Sequence, residues 1–166
     1  MNPLELRPLA ALRRNHALEH ATLHILSERN PRLRLMGRSD WSGFTLYGAA
    51  DIEQVADALT TALDRLQAGE SALAIHPRCG TNVAAGVTLA GLASYVALSG
   101  RQKTWWRKAL RLALGLGAAL AIAPSLGLKL QEHVTTSAEA GALRVAGVRR
   151  QQVGAVVLHR ITTRQE

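Results

Sequence analysis

The sequence predicts an α+β protein: a small helix and antiparallel-sheet domain carrying an inserted two-helix transmembrane hairpin. Three observations lead there. Residues 79–100 form a run of 22 without a charge, and 112–128 a run of 17. A bilayer core takes about 17–25 helical residues, so both are long enough to span it. Arg101, Lys103, Arg107, Lys108 and Arg111 lie between the runs with Trp105 and Trp106, the residue types that settle at a membrane interface. On either side, the chain alternates between helical and strand periodicity. The expected division is 1–81 as an α+β domain, 82–128 as the hairpin, and 129–166 as a segment that completes the first domain.

The elements follow in order. Leu12, His16, Leu23 and Leu26 recur at helical spacing from Leu9 to about Arg29, where Asn30-Pro31 ends the helix. Leu33 and Leu35, then Phe44 and Leu46, alternate with polar residues and read as two strands joined through Ser39-Asp40-Trp41-Ser42-Gly43. Asp51 is placed to cap a second helix reaching Gln67, with Ile52, Val55, Leu59, Leu63 and Leu66 on one face. Ala72–Ile75 reads as a short strand delivering His76. Thr81 or Asn82 then caps the first apolar helix, and Pro124 kinks the second near its end. A small helix from about Ser137 and a strand from about Val153 to Ile161 complete the reading. Ala85, Gly86, Gly91, Ala93, Gly115, Gly117 and Ala121 let the apolar helices pack closely, or let two copies of the chain associate as a homo-oligomer.

Composition narrows the function. Apolar residues make up 48% but aromatics only 4%, so the apolar mass is aliphatic and small. A single cysteine excludes an internal disulfide framework. The first twenty residues carry charges of both signs and no long apolar core, so no signal peptide is expected. Of the net charge of +8, none comes from residues 1–82, where nine arginines meet nine acids. The excess flanks the apolar runs, which points to a lipid bilayer as partner and away from nucleic acid.

The chemistry-bearing residues fall in two clusters. His16-Ala17-Leu18-Glu19-His20 places two imidazoles and a carboxylate within one helical turn, with His24 a turn further on. His-x-x-Glu-His is the order of the inverzincin metallopeptidases, in which the histidines bind zinc and the glutamate activates water. His76-Pro77-Arg78-Cys79-Gly80-Thr81 supplies His76 as third ligand. Cys79 is either a fourth ligand, which closes the site and makes it structural, or a neighbour of an open, catalytic one. True inverzincins add a downstream glutamate ligand, and no acid stands at a comparable position here. A metal-free alternative makes Cys79 a nucleophile at a helix N-terminus, with His16 or His20 as base and Glu19 orienting it. His24 reads as a supporting or surface residue and His159 as structural, while His133 can reach the site from beyond the hairpin.

These motifs, followed by Leu130-Gln131 and Thr135-Thr136, resemble the YqhQ-like family of bacterial membrane proteins. That family has His-Gly-Ala-Glu-His, His-Pro-Arg-Cys-Gly-Thr-Ser and Leu-Gln-x-Leu-Thr-Thr in the same order. The chain is more similar still to an uncharacterised domain-of-unknown-function family beginning Asn-His-Ala-Leu-Glu-His-Ala-Thr. Here Ala17-Leu18 replaces Gly-Ala and keeps the ligand spacing, and Ser137-Ala138-Glu139 replaces an acidic-Pro segment. The resemblance implies membrane attachment and a shared metal-dependent site. The reading is a zinc-dependent, peptidase-like hydrolase in the bacterial inner membrane, acting on a protein or peptide. The alternative is a non-catalytic, metal-stabilised scaffold that docks partners. The basic stretch alone favours a cytoplasmic loop, but a leaderless domain with a free cysteine favours a cytoplasmic amino-terminal domain, and the latter is preferred.

Overall fold

A computed structural model describes residues 3–99 and 104–165; Arg101 and Lys103 of the basic stretch lie outside the described residues. The chain forms two compact units, Met1–His76 with Glu132–Glu166, and Pro77–Gln131.

The first unit is α+β. Helices α1 (Arg7–Arg29) and α2 (Ile52–Gln67) cover one face of an antiparallel sheet of β1 (Met36–Asp40), β2 (Gly43–Tyr47), β3 (Leu143–Val153) and β4 (Val156–Gln165). The strand order is β1-β2-β4-β3, so the last strand lies inside the sheet, between β2 and β3. Ile161 pairs with Phe44, and His159 with Leu46; all four are fully buried. Leu18 and Leu26 of α1, Leu59 of α2 and Leu143 join them in one core. Alternation on β4 buries His159, Ile161 and Thr163 and turns the intervening residues outward.

Several local expectations are revised. Leu33 and Leu35 are not in a strand: they pack half-buried against the core, and ladder pairing starts at Met36 opposite Tyr47. The turn shortens accordingly to Trp41-Ser42, with Ser39 and Asp40 paired in β1. Ala72–Ile75 is not a strand, because Ser71–Ala74 winds into a 3-10 turn. Asp51 precedes α2, but its side chain makes no capping hydrogen bond. The segment from Ser137 turns into β3 instead of forming a helix.

The second unit is a pair of helices, α3 (Gly80–Ser99) and α4 (Trp105–Leu130), followed by a π-helical turn, Gln131–Thr135. Cys79, not Thr81 or Asn82, stands before the first turn: its carbonyl accepts the Asn82 N–H at 3.0 Å. Asn82 instead donates to the Pro77 carbonyl and accepts from Gln131, each at 2.7 Å. Small residues bring the helices together. A Cβ on Gly127 would fall 2.2 Å from Asn82 Oδ1, and one on Gly115 would fall 3.3 Å from the Ala93 methyl. Away from that seam the helices expose apolar side chains, Val87 at 67%, Tyr95 at 71% and Leu120 at 72%. Both helices are long and apolar enough to cross a membrane. Trp105 and Trp106 are exposed at the start of α4, and the Arg107 guanidinium stands 5.3 Å from the Trp106 ring centre.

Candidate metal centre

One face of α1 presents histidines at successive turns. The His16 and His20 ring centres are 4.3 Å apart with planes at 61°. His76 arrives from the other side, its ring 5.7 Å from His20 and 4.8 Å from His24. Two imidazoles on one tetrahedral zinc, each bonded at about 2.0–2.1 Å, have ring centres roughly 5 Å apart. The His16–His20 and His20–His76 spacings fall on either side of that value.

The segment carrying His76 is held by α1 itself. His20 Nδ1 lies 2.7 Å from the Ala74 carbonyl oxygen, and His24 Nε2 lies 2.9 Å from that of Ile75. A strand at 72–75 would have committed these carbonyls to a ladder; the 3-10 turn leaves them to the histidines. On the other flank, His16 Nδ1 is 2.9 Å from the Thr135 carbonyl. Arg13 donates to the Thr136 carbonyl at 3.1 Å, and the Ser137 N–H returns to the Arg13 carbonyl at 3.1 Å.

A carbonyl oxygen only accepts, so each of these ring nitrogens carries the proton. His16 and His20 therefore both donate through Nδ1. Donation of the second ring N–H to a backbone carbonyl is how proteins orient metal-ligating histidines. His24 is protonated on Nε2 instead. It is neither a bystander nor in the tautomer of its neighbours: it fixes the Ile75 carbonyl beside the His76 ring.

Glu19 is 4% exposed, and its carboxylate rests on β1. Ser39 Oγ donates to Oε2 at 2.5 Å. Gly37 makes the room, since a Cβ there would fall 2.1 Å from Oε1. Gly37 and Ser39 were not anticipated as site residues. Their signal is small side chains two apart on a strand facing a helix, visible only once the register is known. Asn15, fully buried, ties the same helix to the sheet through the Asp40 carbonyl at 2.9 Å and the Thr163 hydroxyl at 2.7 Å.

Cys79 belongs to the second unit, where its Sγ accepts the Thr81 N–H at 3.4 Å. His133 is a surface residue, its side chain 68% exposed and 3.9 Å from Glu132. His159 is in the core, fully buried, with neither ring nitrogen hydrogen-bonded at ordinary geometry. Burial is the largest influence and lowers its pKa; the Ala50 backbone opposes it, the charge of Arg150, its cross-strand partner, lowers it further, and Asp51 raises it least.

Residues 11–148 match the family model described as Domain of unknown function (DUF6391). That span contains His16, Glu19, His20, His24, His76 and Cys79 and stops short of β4. The chain is also similar to an uncharacterized protein of Picosynechococcus sp., at 40% identity over 148 residues covering 80% of this chain and 69% of the relative. No solved structure matches it.

Proposed function

We propose that this chain, which belongs to the family described as Domain of unknown function (DUF6391), is a membrane-anchored zinc hydrolase centred on His16 and His20. The observation that carries the reading is the matched tautomer of these two residues. Each Nδ1–H donates to a backbone carbonyl, the arrangement that orients metal-ligating histidines, and the two rings are neighbours. His76 is the third ligand, kept beside His20 by the bonds to the Ala74 and Ile75 carbonyls just before it. Cys79 follows three residues later, so the chain keeps it within about 11 Å of His76, as a fourth ligand or a close neighbour. A zinc ion so held would polarise a bound water and bring its pKa to about 7. Glu19, oriented by Ser39, is the base that takes the proton. The substrate class is a protein or peptide presented at the membrane.

Membrane anchoring is supported by the length of α3 and α4 and by the apolar residues they expose. The motif order shared with YqhQ-like proteins supports a common site in a bacterial inner membrane, with the amino-terminal domain cytoplasmic. One observation favours a second reading: Glu19 is buried with an oxygen already bonded to Ser39, as expected of a closed, metal-stabilised module that docks partners.

Glu19→Gln separates the two. The variant and the wild type are purified from carbonate-washed membranes, their zinc content measured, and peptide hydrolysis assayed. The enzyme reading expects retained zinc and activity lower by 10²–10⁴-fold, the usual worth of a general base. A zinc-loaded wild type with no hydrolysis against a peptide library sinks that reading, and release of the protein by carbonate sinks the membrane one.

A further inference from the structure

The sheet has a second face that no helix of its own unit covers. Register places its residues in rows, since directly paired residues share a face. One row is Arg38, Thr45, Arg160 and Arg149 across all four strands, and Arg164 pairs with Arg144 nearby. Arg149 stands opposite Arg160, and Arg144 opposite Arg164, so the pairing concentrates positive charge on this face. Asp40 is the one acid among the described strand residues of this face, and Arg160 already binds it at 2.7 and 2.9 Å. Arg38, Arg149 and Arg164 make no ion pair among the described residues. Arg149, Arg160 and Arg164 line an open depression of about 480 Å³ with Tyr47 and Thr162.

Toward the β3–β4 turn the same face becomes more apolar. Met36, Tyr47, Leu158 and Gln151 form the next row, and Val153 pairs with Val156 beyond it. Met36 is 68% exposed, Val153 65% and Val156 49%. Apolar groups to enter the acyl boundary, beside arginines for phosphates, are the pattern of an interfacial membrane surface. Tyr47 is the single aromatic in these rows, so the face lacks the stacking platform that single-stranded nucleic acid requires.

We propose that this open sheet face docks on an anionic lipid surface, with Arg38, Arg149 and Arg164 meeting headgroup phosphates and Val153 and Val156 entering the interface. The proposal rests on the membrane reading above, in which α3 and α4 anchor the same chain in a bilayer. It makes the lipid a bound partner of the sheet as well as the solvent of the helices.

The test uses the full chain in nanodiscs of phosphatidylcholine alone or with phosphatidylglycerol, read by amide hydrogen exchange. Exchange at the Val153–Val156 turn is expected to slow roughly tenfold with the anionic lipid, and Arg38→Gln/Arg149→Gln/Arg164→Gln to abolish the slowing. Unchanged α2 exchange shows that the variant is folded; should it fail, Val153→Asp/Val156→Asp serves the same purpose. Equal exchange in both nanodiscs overturns the proposal while leaving the anchor intact, whereas failure to enter nanodiscs overturns the anchor. Arginine-dependent retention of a single-stranded oligonucleotide by the detergent-solubilised chain, with no lipid effect, would assign the face to nucleic acid instead.

Discussion

Gly37→Ala tests how Glu19 is held. The new methyl would lie 2.1 Å from Oε1, 2.4 Å from Cδ and 2.6 Å from Cγ of Glu19, so the whole end of that side chain has to move. Glu19 is 4% exposed and has little room to move without opening α1 from β1. Overfilling a packed site costs about 1–3 kcal/mol. Losing a hydrogen bond to a charged group, here the one from Ser39, costs about 1.5–3 kcal/mol. The two overlap, because the displaced carboxylate is the one that loses the bond, so the expected loss is about 3 kcal/mol. Ser39→Ala removes the bond alone and should cost about 2 kcal/mol. Denaturant unfolding in detergent, followed by circular dichroism, measures both. The double variant should cost little more than Gly37→Ala, as expected of residues acting on one group. Gly37→Ala within about 0.5 kcal/mol of wild type would refute the placement of Glu19 against β1.

Two further predictions concern pH. Because the folded pKa of His159 lies below the ordinary 6.5, the unfolded chain takes up a proton first. Stability should therefore fall as the pH drops below about 6.5, and His159→Leu should remove that part of the slope in unfolding curves from pH 8 to 5. Asp40 behaves oppositely: the Arg160 hydrogen bonds, helped by those from Ser42, hold its carboxyl at about 2 instead of 3.8. Its stabilisation is present above about pH 4 and is lost as the pH falls from there through about 2. With the Asp40 side chain 41% exposed, solvent screening reduces its worth, so Asp40→Asn should cost about 1 kcal/mol at pH 7 and less than half of that at pH 2. A carboxyl titration of Asp40 near 4 by NMR would contradict this.

What the sequence revealed depended on whether a pattern was local. The long helices were legible because Leu12, Leu23 and Leu26, or Val55, Leu59 and Leu66, repeat at helical spacing. The uncharged runs announced α3 and α4 by length. Strand β3 was hidden: it is rich in arginine and glutamine, and a bulge between Val145 and Gly147 breaks its alternation. The stretch 72–75 looked like a strand by composition, yet its carbonyls are claimed by His20 and His24 from a helix more than fifty residues away. The proximity of His16 and His20 was legible from spacing alone. The role of His24, the Gly37–Ser39 cradle and the arginine rows were not, because each depends on register between distant segments. The charge count attributed the late arginines to membrane flanks, and the fold puts Arg144, Arg149, Arg160 and Arg164 on one sheet face.

X-ray absorption at the zinc edge, on the full chain purified without chelator, tests the central claim most directly. The account predicts about one zinc per chain, with at least two imidazole nitrogens at roughly 2.0–2.1 Å and the metal lost in both His16→Ala and His20→Ala. A chain that stays folded and binds no stoichiometric metal, or holds it undiminished in both variants, would contradict it.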